Sequence, residues 1–165
     1  MKYRNILVLG IGNLLLHDEG IGIHALRDLE NHYKFSDNVT LMDGGTLGMR
    51  LLDHIERADY LIVADTFCSN KPPGTLTRLS MAELESQVAA KNSMHQVSFL
   101  DTLSHARLLG ILPETILVGC EPENLNPWGE ELTPSVEAAK PQMVKMIIRE
   151  IRKAGGKVIP IRETG

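Results

Sequence analysis

The chain has 165 residues, of which 43% are hydrophobic and 23% charged, with a formal net charge of −4 at pH 7. That length suffices for one compact domain spanning residues 1–165, and an acidic balance without any Lys/Arg-rich run argues against a nucleic-acid binder. No apolar segment approaches a membrane span, the Met1–Asn5 start enters a strand too soon for a signal peptide, and Cys68 and Cys120 lack a Cys-x-x-Cys spacing; a reduced, cytoplasmic protein is expected.

Ile6-Leu-Val-Leu9 is an unbroken apolar run, as in a strand buried on both faces of a parallel sheet. Gly10-Ile-Gly-Asn13 follows as a tight turn, and Asp18-Glu19-Gly20 opens a helix with Ile21, Ala25, Leu26 and Leu29 on one face. Such a unit puts a carboxylate at the carboxyl end of a central strand, where ligands bind in open α/β sheets. The glycines invite a dinucleotide reading, but the third glycine position of that fingerprint holds Leu15, and two acids stand where the pyrophosphate would lie. A cation held by Glu19 is electrostatically easier. A helix cap and dipole complement is the plainer reading of this acidic pair, and it suits Asp18 better.

Val39–Met42 reads as a second strand, ending in Asp43-Gly44-Gly45-Thr46, which by spacing alone is a turn. Leu47, Leu51, Leu52 and Ile55 carry a helical period, and Tyr60–Ala64 is a third buried strand that ends in Asp65. Pro72-Pro73-Gly74 is a turn, and Thr75–Leu79 alternates in polarity, which predicts an antiparallel edge strand. A short helical piece and a loop fill 80–94. His95-Gln96 precedes a helix from about Ser98 to Leu109 with Leu100, Leu103 and Leu108 buried. Thr115–Gly119 is a fifth strand, followed by Glu121-Pro122 and an irregular stretch. Thr133 then caps a long helix with Pro134 in its first position and Val136, Ala139, Met143, Met146, Ile147 and Ile151 inward. Pro141 should kink that helix, and Gly155-Gly156 end it. The order βαβαββαβα predicts an α/β three-layer sandwich, a mostly parallel five-stranded twisted sheet with helices on both faces.

Three strand ends therefore lie near an acid: Glu19, Asp43 and Asp65. With a His they could converge on one cation, and mixed O and N ligands suit Zn, Ni, Fe or Mn better than Ca or Mg. No His-Glu-x-x-His or Gly-x-Ser-x-Gly pattern exists, which weighs against a zincin or a serine hydrolase. Cys68 reads as a small buried thiol, His17 as a solvent-facing loop residue, and His24, His32, His54 and His105 as surface or half-buried polar residues.

Five motifs in fixed order go further: Gly10-x-Gly12-Asn13 with Asp18-Glu19-Gly20-x-Gly22, Asp43-Gly44-Gly45-Thr46-x-Gly48, Ala64-Asp65, Ser93-x-His95-Gln96, and Leu132-Thr133-Pro134-x-Val136. In these the chain resembles the maturation endopeptidases of [NiFe] hydrogenases, over about Ile6 to Pro160, and Ser-Met-His-Gln-Val-Ser-Phe resembles the members acting on uptake-type enzymes. Val97-Ser98 departs from the Leu-Gly or Ile-Gly pair of many relatives. The resemblance implies an aspartic-type endopeptidase that trims the C-terminal extension of a nickel-loaded large-subunit precursor. It further implies nickel contacts at Glu19, Asp65 and His95, the nickel being carried by the substrate subunit, and a catalytic part for Asp43. A monomer without nucleic-acid or membrane partners is expected. The competing readings are a Rossmann-like nucleotide-binding module and a chaperone that holds the precursor without cutting it.

Overall fold

The structure, a computed structural model, describes residues 3–91 and 99–162. In chain order its strands are β1 (Ile6–Ile11), β2 (Tyr33–Phe35), β3 (Val39–Gly45), β4 (Tyr60–Thr66), β5 (Leu76–Ser80), β6 (Glu114–Cys120) and β7 (Val158–Pro160). Its helices are α1 (Ile21–His32), α2 (Leu52–Arg57), α3 (Met81–Lys91), α4 (Leu100–Leu108) and α5 (Pro134–Lys153). Five strands form one sheet in the order β3-β1-β4-β6-β5; the first four are mutually parallel and β5 runs antiparallel at the edge. Five strands, mostly parallel with an antiparallel edge, are what the sequence predicts; their order comes from the structure.

The unbroken apolar runs of β1, β4 and β6 are buried because both faces of the sheet are covered. Alternate residues serve opposite layers. Ile6, Val8, Ile62, Ala64, Ile116 and Val118 meet Ile21, Leu26 and Leu29 of α1 and Met143, Ile147 and Ile151 of α5. Leu7, Leu9, Leu61, Val63 and Leu117 meet Ile55 of α2, Leu84 of α3 and Leu103 of α4. The helix from β1 toward β3 thus lies on one face and the helix from β3 to β4 on the other. β1 is the strand at which the winding reverses.

Some local expectations need correction. Leu108 is 85% exposed and Leu100 only half-buried, whereas Leu103 is fully buried. Five residues separate Leu103 from Leu108, which turns the second side chain about 140° away from the first on a helix. Leu47 is exposed because it precedes the short 3₁₀ turn Gly48–Leu51 that leads into α2. Thr133, at the head of α5, makes no side-chain cap. A second, two-stranded ribbon pairs β2 with β7 antiparallel, Lys34 opposite Ile159, a pairing the sequence does not signal.

Glu150 of α5 is buried, takes a 2.9 Å hydrogen bond from the Tyr60 hydroxyl and is paired with Arg78 of β5. Burial raises its carboxyl, but the Arg78 and Tyr60 bonds outweigh that and hold it below the ordinary carboxylate range. It pins α5 to β4 and β5. Among the described residues no helix is long and apolar enough to cross a membrane.

Candidate active site

The reversal at β1 places the carboxyl ends of β3, β1 and β4 side by side, and a crevice outside such a switch point is where α/β sheets bind ligands. Gly10 pairs with Asp43 on one side and Ala64 on the other, so the ends of β3 and β4 stand two strand spacings apart, about 9–10 Å.

The glycines have a packing reason. A Cβ on Gly22 would lie 2.1 Å from the Ala64 carbonyl oxygen and 2.6 Å from that of Ile11; one on Gly12, at φ +134°, would lie 1.9 Å from the Glu19 carbonyl oxygen. They let the first turn of α1 and the 3₁₀ turn His17–Gly20 settle directly on the ends of β1 and β4. The room a phosphate-binding loop would leave open is filled by the chain's own carbonyls, which disfavours the nucleotide reading. Gly22→Ala is accordingly expected to cost about 2–3 kcal/mol, read as a lowered urea midpoint, because α1 must lift off two backbone carbonyls.

Asp18 is fully buried and does not cap α1, whose first turn carries no side-chain cap. Its Oδ2 accepts hydrogen bonds from the amides of Glu123 and Asn124, both 2.9 Å, and from the Thr133 hydroxyl at 2.8 Å, while Oδ1 accepts the Thr133 amide at 2.8 Å. Burial pushes this carboxyl up, but the four donors prevail and hold it below its ordinary value. The Asp18 amide in turn donates to the Asn124 carbonyl. His17, at φ +51°, packs its imidazole on Gly129 and donates from Nδ1 to the Glu131 carbonyl at 3.0 Å. It braces the 121–133 loop and is not the solvent-facing residue expected. Glu121, also buried, accepts 2.8 Å bonds from the Ser69 amide and hydroxyl. One loop is thereby tied to the Glu19 turn at one end and to the segment after Asp65 at the other. Sequence reading missed these ties; Glu121-Pro122 at a strand end was their one local signal.

The 3₁₀ turn that carries Glu19 packs against β4, near whose end lies Asp65. Asp65 is 5% exposed, and its Oδ1 accepts the Thr66 amide at 2.7 Å. Burial pushes its carboxyl up to about 8 against the pull of the Thr66 bond, and the charge of Glu19 adds to the rise. Glu19 is half-buried and raised by the same desolvation. Cys68 is half-buried rather than buried; loss of water raises its thiol, as do the charges of Glu121, Asp65 and Glu19. Asp43 lies across β1 from Asp65, exposed, with Oδ1 accepting the Gly45 amide at 2.9 Å. This is the turn that the Asp-Gly spacing predicts, made possible by φ +45° at Gly45. His95 lies outside the described residues. Among the described residues no three His, Cys, Asp or Glu side chains gather as a complete metal cluster.

Fold and site define an α/β protein with a carboxylate-lined crevice at its switch point. The model of the hydrogenase maturation protease family matches residues 23–150. The hydrogenase 2 maturation protease of Escherichia coli strain K12 is 41% identical over 157 residues, covering 94% of this chain and 95% of its own. The hydrogenase expression/formation protein HupD of Rhizobium leguminosarum is 40% identical over 152 residues, covering 91% and 75%. Among solved structures, the hydrogenase maturating endopeptidase HybD from E. coli superposes with a TM-score of 0.85 at 40% identity, over 94% of this chain and 97% of that one. The chain belongs to the hydrogenase maturation proteases, a family of peptidases.

Proposed function

We propose that this protein is a cytoplasmic, monomeric endopeptidase that removes the C-terminal extension of a nickel-loaded [NiFe] hydrogenase large-subunit precursor. The observation that carries the reading is the Glu19–Asp65 pair: one carboxyl on the His17–Gly20 turn packed against β4, the other at the end of β4, both raised by burial, with the charge of Glu19 felt at Asp65. Such a pair is relieved by an arriving cation, which takes the place of the proton that burial keeps on Asp65. With His95 as a nitrogen donor the set is mixed O and N, which suits nickel better than a hard alkaline-earth ion. The nickel is cargo of the substrate, so gripping it positions the precursor's tail and rejects an empty precursor.

Asp43 is assigned to the chemistry, as in an aspartic-type peptidase. As general base its carboxylate takes a proton from water as the water oxygen adds to the scissile carbonyl carbon; the C–N bond then breaks and the proton passes to the leaving amine. Positioning of the tail by the nickel grip supplies on the order of 7 kcal/mol of the barrier reduction in good geometry. Glu19→Gln and His95→Ala are expected to keep the wild-type circular dichroism spectrum and lose trimming. Normal trimming by both variants would remove the metal role, and an intact precursor after incubation with wild type would favour the chaperone reading.

A further inference from the structure

The 121–133 loop, hydrogen-bonded to the segment that carries Glu19, bears an apolar ledge. Its Trp128, the only tryptophan of the chain, is 77% exposed, with Leu125 at 41%. Leu15, 46% exposed, lies on the Glu19 turn, and the two segments are zipped together. The Gly129 amide donates to the Leu15 carbonyl at 2.9 Å, and the His17 amide donates to the Gly129 carbonyl at 2.8 Å. Leu16 and Gly129 form a parallel bridge. Trp128 and Leu15 thus stand on adjoining backbone, within a few residues of Glu19. A large aromatic left in water on a loop held by so many bonds has no role in the core, and exposed aromatics on rigid supports are the usual anchors of recognition.

The surroundings say what would land there. Residues 121–131 carry Glu121, Glu123, Glu130 and Glu131 and no Lys, Arg or His. Glu123, Glu130 and Glu131 are exposed on this same loop. Apolar area on a loop whose exposed charges are all negative is complementary to an apolar side chain flanked by basic ones.

Resting on the protease reading above, we infer that the Trp128–Leu15 ledge is the docking surface for a basic, apolar-centred segment of the precursor beside its cleavage junction. The ledge sets which tails are accepted, and the Glu19–Asp65 pair judges whether metal is present. Asp18 holds both parts in one frame.

The lone tryptophan makes the test direct. A Trp-free synthetic peptide spanning the cleavage junction, titrated into the wild-type protein, is expected to shift Trp128 emission to the blue, saturably, and less so at high salt. Trp128→Ala is expected to keep the melting temperature and to lower kcat/KM for the nickel-loaded precursor by at least about tenfold, with Trp128→Phe restoring most of it. Ile159→Ala, which removes an exposed apolar residue on the remote ribbon, is the control and should leave kcat/KM unchanged. Unchanged emission, or wild-type kcat/KM in Trp128→Ala, overturns the inference. So does an emission shift produced by raising the protein concentration alone, which would make the ledge a contact between copies. A wild-type protein that binds the peptide but leaves the precursor whole overturns the protease reading and not the ledge.

Discussion

Asp65→Asn is expected to make the protein more stable at pH 7 and to abolish trimming. Desolvation dominates at this position: the carboxyl is pushed up to about 8, far above its ordinary value of 3.8. A carboxyl whose folded value is raised binds its proton more tightly in the native state than in the unfolded one. The stability this contributes is fully present below about pH 4 and is lost as pH rises through about 8. A neutral amide does not carry that loss, and its oxygen can still accept the Thr66 amide. The gain at neutral pH is about 2–4 kcal/mol, or ~5–15 °C in melting temperature for a chain of this length. At pH 4 the two proteins should melt together. The check is a pair of melting curves at pH 4 and pH 7; a variant no more stable than wild type at pH 7 would contradict the account of Asp65 as a buried, uncompensated acid. Lost activity beside gained stability marks a residue kept for chemistry at the expense of the fold.

Asp18→Ala should do the opposite, although the two acids are similarly buried. Its carboxylate is the common acceptor for three amides and a hydroxyl from the 121–133 loop. Removing it leaves those donors dry, and a cost of about 3–5 kcal/mol is expected, together with loss of trimming as the loop frees from the Glu19 turn. The folded value of Asp18 is lowered, so its contribution is present above the ordinary carboxylate value and disappears as pH falls through the lowered one. Urea unfolding at neutral and at acid pH measures both. Loss of less than about 1 kcal/mol at neutral pH would mean the loop is held by other contacts. Set beside Glu19→Gln one residue away, the comparison separates scaffold from chemistry: stability and trimming fall together in one and apart in the other.

That pair also shows where the sequence stops being readable. The strands are legible because β1, β4 and β6 are covered on both faces, and their apolar runs say so without tertiary knowledge. An acid at the end of such a run, as at Asp65, is a visible exception to the pattern. Asp18 and Glu19, by contrast, are adjacent acids before a helix, and local rules send the better cap to α1. The partners of Asp18 lie more than a hundred positions downstream, and no spacing rule reaches that far. The ribbon of β2 and β7 is hidden for the same reason, since three-residue strands that pair across the chain carry no periodicity of their own. The glycine pattern was visible, but its cause was not: Gly22 is needed for the Ala64 carbonyl on another strand, and a fingerprint search sees only the letters.

The central claim is that the Glu19–Asp65 crevice admits a precursor by the nickel it carries and then cuts its tail. Mass spectrometry of the large-subunit precursor, nickel-loaded and nickel-free, after incubation with the purified wild-type protein tests this most directly. The account predicts loss of the C-terminal extension from the loaded form and an intact mass for the empty one. Equal trimming of both forms, or of neither, would contradict it.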